Sequence, residues 1–80
     1  MNIEIIVFGV AKDIVGGANT GLEVTPGISV AELRAMLEEH YPKLKQLSTY
    51  MIALNNEYAK GDEIITEHDE IAIIPPVSGG

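Results

Sequence analysis

The groups most able to do chemistry lie in Val77-Ser78-Gly79-Gly80, behind Pro75 and Pro76. Gly80 offers a main-chain carboxylate with no side chain on it or on Gly79, so this tail can thread a channel that Cβ atoms would block. A carboxylate is a poor electrophile. Adenylation gives it a good leaving group, after which a sulfur or amine nucleophile can take the acyl group. The two prolines make the tail stiff at its root and leave it free at its tip. A plainer reading stands beside this one: chain ends fray, and Gly-Gly suits a mobile end with no role.

Other candidate groups are sparse. His40 falls near the end of an expected helix and His68 in a turn, and neither has a histidine or cysteine partner at ligand spacing, so no metal site is expected. Six of the twelve carboxylates fall between Glu57 and Glu70, with Lys60 the one cation among them. They form either a solvated face or an acidic surface that steers a basic partner. Glu38 and Glu39 are expected on the solvent side of the helix. No Ser-His-Asp set, glycine-rich phosphate loop or acid–base pair is recognisable from spacing. With no cysteine in the chain, disulfides, cysteine zinc sites and thiol nucleophiles are excluded, and any sulfur chemistry must use another atom. The chain reads as a substrate and carrier for other enzymes.

Composition sets the frame. Eighty residues make one domain that buries about 60% of its unfolded surface. Hydrophobic residues at 46% and charged residues at 21% argue against disorder. Five Lys and Arg against twelve Asp and Glu give a net charge of −7, which speaks against a phosphate-tracking nucleic-acid binder. Met1-Asn2-Ile3-Glu4 carries no basic region and the first apolar run stops near Val10. Neither a signal peptide nor a membrane span is expected, and the cytoplasm is the default location.

The elements that must position the tail follow from local pattern. Residues 3–8 read as a strand whose core face is Ile3, Ile5 and Val7, with Glu4, Ile6 and Phe8 opposite. Residues 10–15 read as a short helical turn closed by Gly16-Gly17. Residues 18–21 are turn formers, and residues 22–25 a short second strand ended by Pro26-Gly27. Ser29-Val30-Ala31-Glu32 is a capping box, opening a helix over residues 30–41 that Pro42 limits. Residues 50–54 form a third strand, Asn55-Asn56 a tight turn into a stub at 57–59, and residues 70–74 a last strand stopped by Pro75-Pro76. Mixed strands with one amphipathic helix imply an α+β domain in which a single sheet curls around that helix. The arrangement resembles the ubiquitin-like β-grasp, with the domain at residues 1–74 and a flexible tail at residues 75–80.

Val7-Phe8-Gly9 followed by Ala11-Lys12-Asp13-Ile14-Val15-Gly16, the helix start Val30-Ala31-Glu32-Leu33-Arg34, and the closing run from Asp69 to Gly80 together resemble the sulfur-carrier small subunits of molybdopterin synthase. The thiamine-pathway sulfur carriers are similar in fold and also end in Gly-Gly, but lack the Pro-Pro-Val. The resemblance implies that an E1-like enzyme adenylates Gly80, consuming ATP and Mg²⁺, and that the adenylate becomes a thiocarboxylate. Residues Pro75, Pro76, Val77, Ser78 and Gly79 would then carry Gly80 into the active site of the large synthase subunit, within a heterotetramer of two small and two large subunits. The chain would bind no cofactor itself and would not be an enzyme on its own. The alternatives are a thiamine-pathway carrier, a ubiquitin-like modifier or interaction module, and, weakest, an enzyme using His40 or His68.

Two further expectations concern geometry. The family carries Gly-Asp-Glu where this chain has His68-Asp69-Glu70. A turn glycine there takes φ > 0, a conformation histidine tolerates, so His68 is expected to adopt it. If the first and last strands are adjacent, pleat alternation puts Ile6, Phe8, Ala72 and Ile74 on the sheet face away from the helix. A one-layer sheet has nothing of its own to cover that face unless residues after the helix fold over it. An exposed apolar patch beside the root of the tail marks a partner interface.

Overall fold

A computed structural model describes residues 1–47 and 49–75. The chain runs β1 (Asn2–Val7), α1 (Ala11–Val15), β2 (Asn19–Glu23), α2 (Val30–His40), a 3-10 turn (Pro42–Gln46), β3 (Met51–Leu54), β4 (Glu57–Tyr58) and β5 (Ile71–Ile74). The strands form one sheet in the order β2-β1-β5-β3-β4. β1 and β5 pair in parallel at its centre and the other pairs are antiparallel. This is the ubiquitin-like β-grasp expected from the sequence.

Ile3, Ile5 and Val7 alternate into the core, where they meet Ile71 and Ile73 from β5 and Val30, Leu33 and Leu37 from α2. α2 starts where the capping box places it. The Glu32 N–H donates to Ser29 Oγ at 3.2 Å and the Ser29 N–H to Glu32 Oε1 at 3.0 Å. Gly16 closes α1 in the left-handed conformation, φ 87°, with its N–H on the Lys12 carbonyl. Asn55 and Asn56, at φ 53° and 69°, make the two-residue hairpin turn that asparagine tolerates without a glycine.

Several expectations are corrected. β2 begins at Asn19 and ends at Glu23 rather than covering residues 22–25, because β1 imposes the pairing: Asn19 lies opposite Ile6, and Val7 donates to the Ala18 carbonyl at 2.8 Å. His68 does not take a positive φ; among the described residues only Asn55 and Asn56 do so without being glycine. Glu38 is half-buried rather than solvent-facing, since the Tyr50 hydroxyl donates to its Oε2 at 2.6 Å. Tyr50 is buried, with the Arg34 guanidinium 4.6 Å over its ring. Burial first, and then Glu38, push its phenol well above the ordinary range.

The acidic segment also builds structure. Glu63 accepts from the Lys60 and Gly61 N–H groups at 2.8 Å each, and these bonds hold its carboxyl below the usual range. Asp69 accepts from Asn55 Nδ2 at 3.0 Å and from the Thr66 N–H at 2.7 Å, and is lowered chiefly by Asn55. Asn55 in turn accepts from the Glu70 N–H at 2.9 Å. The hairpin turn is thereby clamped to the turn that leads into β5.

Both carboxyls titrate lower folded than unfolded, so the unfolded chain binds more protons and stability is lost as the pH is lowered. The loss should begin near the ordinary values of 4.5 and 3.8 and continue as the pH drops through the lower, folded ones. Asn55→Ala removes the main cause at Asp69 and should make the acid limb of a melting-temperature profile shallower than wild type. His68→Gly, at an ordinary φ, should cost roughly 0.5–1 kcal/mol by loosening the unfolded chain; a gain in denaturant midpoint would contradict the turn geometry.

Candidate functional site

α1, α2 and the 3-10 turn all send side chains into the same core, through Ala11, through Val30, Leu33 and Leu37, and through Leu44. They therefore share one side of the sheet. No helix of the described residues lies over the other side, and the segment after α2 packs on α2 and α1 instead. Parallel register sets Ile6 beside Ala72, and the same pleat carries Phe8 and Ile74 onto this bare face. Ile6 is 39% exposed and Phe8 48%, whereas Ala72 and Ile74 are half-buried.

The four expected residues line one shallow concavity of about 350 Å³, together with Ala53, Asn56, Tyr58 and Glu70. Sequence reasoning missed these last four. Ala53 lies opposite Ala72 on one side and Tyr58 on the other, and Met51 lies opposite Ile74. Carrying the pleat alternation across the Asn55-Asn56 hairpin would have found Ala53, Tyr58 and Met51. Glu4 shares the Ile6 side of β1 and Glu70 lines the concavity, so the apolar face is bounded by acidic groups.

β5 leads from this face directly into Pro75, which is half-buried. Pro76, Val77, Ser78, Gly79 and Gly80, singled out in the sequence for the tail, lie outside the described residues. His40, at the end of α2, and His68, in the turn before β5, are not brought together. Among the described residues no three His, Asp or Glu side chains converge to hold a metal ion, and no helix is long and apolar enough to cross a membrane. The surface is an apolar concavity with acidic groups beside it. Among the described residues that line it, no side-chain hydrogen bond pairs a nucleophile with a base.

Comparison with known proteins gives this face a context. A profile of the ThiS family matches residues 5–80. The molybdopterin synthase sulfur carrier subunit of Caenorhabditis briggsae is 36% identical over 83 residues, covering 100% of this chain and 99% of the relative. In a solved complex of subunits 1 and 2 of the molybdopterin-converting factor from Helicobacter pylori 26695, one chain superposes with a TM-score of 0.70 at 30% identity, covering 100% of both chains. SAMP1 from Haloferax volcanii shares the fold, with a TM-score of 0.84 at 24% identity and full coverage of both chains. The β-grasp and a match that runs the length of the chain agree: it belongs to the ThiS family, among the molybdopterin synthase sulfur carrier subunits.

Proposed function

We propose that the chain carries sulfur on Gly80 for molybdopterin synthase. The observation that carries this reading is the uncovered apolar face, Ile6, Phe8, Ala72 and Ile74, contiguous with the strand that leads into the tail. It is supported by 36% identity, over the full length of the chain, to a sulfur carrier subunit. The likeness to SAMP1, at 24% identity, speaks for the fold alone and does not favour a modifier.

The chemistry proceeds in three transfers that all involve the one carboxyl group. A carboxylate oxygen of Gly80 attacks the α-phosphorus of Mg²⁺-bound ATP on an E1-like enzyme and pyrophosphate leaves. The terminal sulfur of a donor persulfide attacks the acyl carbon of the adenylate and AMP leaves. A thiol of the donor system then cleaves the acyl disulfide, becoming a disulfide itself and leaving Gly80 as a thiocarboxylate. The charge then resides largely on polarisable sulfur, a stronger nucleophile than oxygen. In the large subunit that sulfur attacks a carbon of the pterin precursor and displaces an oxygen there. Water hydrolyses the resulting thioester to restore the carboxylate and leave the sulfur on the pterin, and two carriers serve each pterin in a two-plus-two heterotetramer. The chain supplies the reacting carboxyl and the docking face; acids, bases and cationic side chains come from the partners. The ATP-dependent cycle belongs in the cytoplasm.

Docking through Phe8 makes it an aromatic anchor worth about 2 kcal/mol. Phe8→Ala should weaken binding to both the activating enzyme and the large subunit by about 30-fold, and Ile74→Ala should weaken both less. The melting temperature should barely move, since Phe8 is about half exposed already. Unchanged affinities, or unfolding of the isolated variant, would remove the face from the interface.

Intact-mass analysis of chain isolated with its activating system should show one oxygen-to-sulfur exchange, confined to the C-terminal peptide. One residue added after Gly80 should abolish that exchange without altering the melting temperature. Isopeptide-linked ladders in place of the exchange would favour a modifier, and full thiocarboxylation of the extended chain would refute the role of Gly80.

A further inference from the structure

β1 and β5 stay in register through Val7 opposite Ile73, and the Phe8 N–H still reaches the Ile73 carbonyl at 3.2 Å. Two residues further along each strand the chains part, with Gly9 beside Pro75. Gly9 sits at φ +57°, where the backbone turns out of β1 into α1. Its carbonyl accepts from the Lys12 N–H at 3.1 Å, which ties the turn to the helix it starts. A Cβ built on Gly9 would stand 2.9 Å from Pro75 Cγ and 3.7 Å from Cδ. The first distance is shorter than side-chain carbons tolerate. The proline ring therefore occupies the space in which a side chain at residue 9 would stand.

We propose that Gly9 is a positioning residue: its bare Cα is the seat of the Pro75 ring, and that seat sets the direction in which the tail leaves the sheet. Proline suits the role because its ring fixes φ and can yield only by puckering or by moving the backbone. The functional consequence rests on the carrier reading above; the geometry does not. Displacing Pro75 moves the root of the tail while leaving Ile6, Phe8, Ala72 and Ile74 in place. A misplacement of about 1 Å at a reacting group can cost as much as a hundredfold in rate. The seat should thus act on the chemical step rather than on docking.

The test uses Gly9→Asn, because asparagine tolerates positive φ and so isolates the contact from backbone strain. The smaller Gly9→Ala serves if the first variant does not fold. Pro75→Ala removes the ring and provides the second background. Since the chain has no cysteine, nitroxides at Glu39→Cys on α2 and Ser78→Cys in the tail report where the tail points. Gly9→Asn should shift their distance distribution, and should shift nothing further once Pro75→Ala is present. In sulfur transfer to the large subunit, Gly9→Asn should lower kcat about tenfold with KM for the carrier unchanged within about twofold, and add less than about twofold to Pro75→Ala. An unchanged distance distribution, or an equal effect of Gly9→Asn in both backgrounds, overturns the seat. A wild-type chain that never gains sulfur overturns the carrier reading instead, and the distances alone then decide the seat.

Discussion

Everything in this domain answers to one pairing, that of β1 with β5 in parallel at the centre of the sheet. Parallel neighbours cannot be joined by a tight turn, so the chain between them must leave the sheet, cross it and return. α2 makes that crossing and covers one face. Central parallel strands are usually apolar on both faces because both are covered. β5 and the chain from Ile6 to Phe8 follow this rule with Ile6, Phe8, Ala72 and Ile74, whereas Glu4 at the start of β1 does not. Here the second layer does not come from the described chain. The bare face is thus the unfilled half of a two-sided arrangement, and β5, which helps to form it, is the strand that leads into Pro75.

The long return from β3 to β5 solves a separate problem. A helix start leaves its first N–H groups without partners, and the capping box satisfies only part of that need at α2. The Val30 N–H donates to the Glu63 carbonyl and the Ala31 N–H to the Gly61 carbonyl, at 2.9 Å each. Glu63 in turn holds the loop in the shape that presents those carbonyls. Exposed ion pairs contribute little, whereas a cap is worth about 1 kcal/mol. Glu63 and Asp69 therefore act chiefly through backbone and amide donors. Glu57, Asp62, Glu67 and Glu70 remain on the surface, where they contribute to the charge of −7.

What could be read from the sequence was local. Ser29 and Glu32 announce α2, Asn55-Asn56 announces the hairpin, and the alternation of Ile3, Ile5 and Val7 gives the core side of β1, from which the bare side follows by pleat. What could not be read depends on partners distant in the chain. Asn19 and Gly21 are poor strand formers, and only pairing with β1 makes them a strand. The bond from Tyr50 to Glu38 spans 12 residues and that from Asn55 to Asp69 spans 14, and no periodicity signals either. The expectation for His68 was transferred from a glycine in relatives. A single backbone angle does not transfer in that way.

The central place of β5 governs the order of folding. Without β5, β2 and β1 form one hairpin, β3 and β4 form another, and no strand joins them. No N-terminal run of elements can therefore close the core, and α2 has only half a sheet to cross until residues 71–74 arrive. Folding must wait on a contact between the first and last strands, the most non-local strand pairing among the described residues. Loop-closure entropy and high contact order make such a step slow. Until it occurs, Ile5, Val7 and the apolar side of α2 stand open to solvent, and during that interval the chain is most exposed to aggregation and proteolysis.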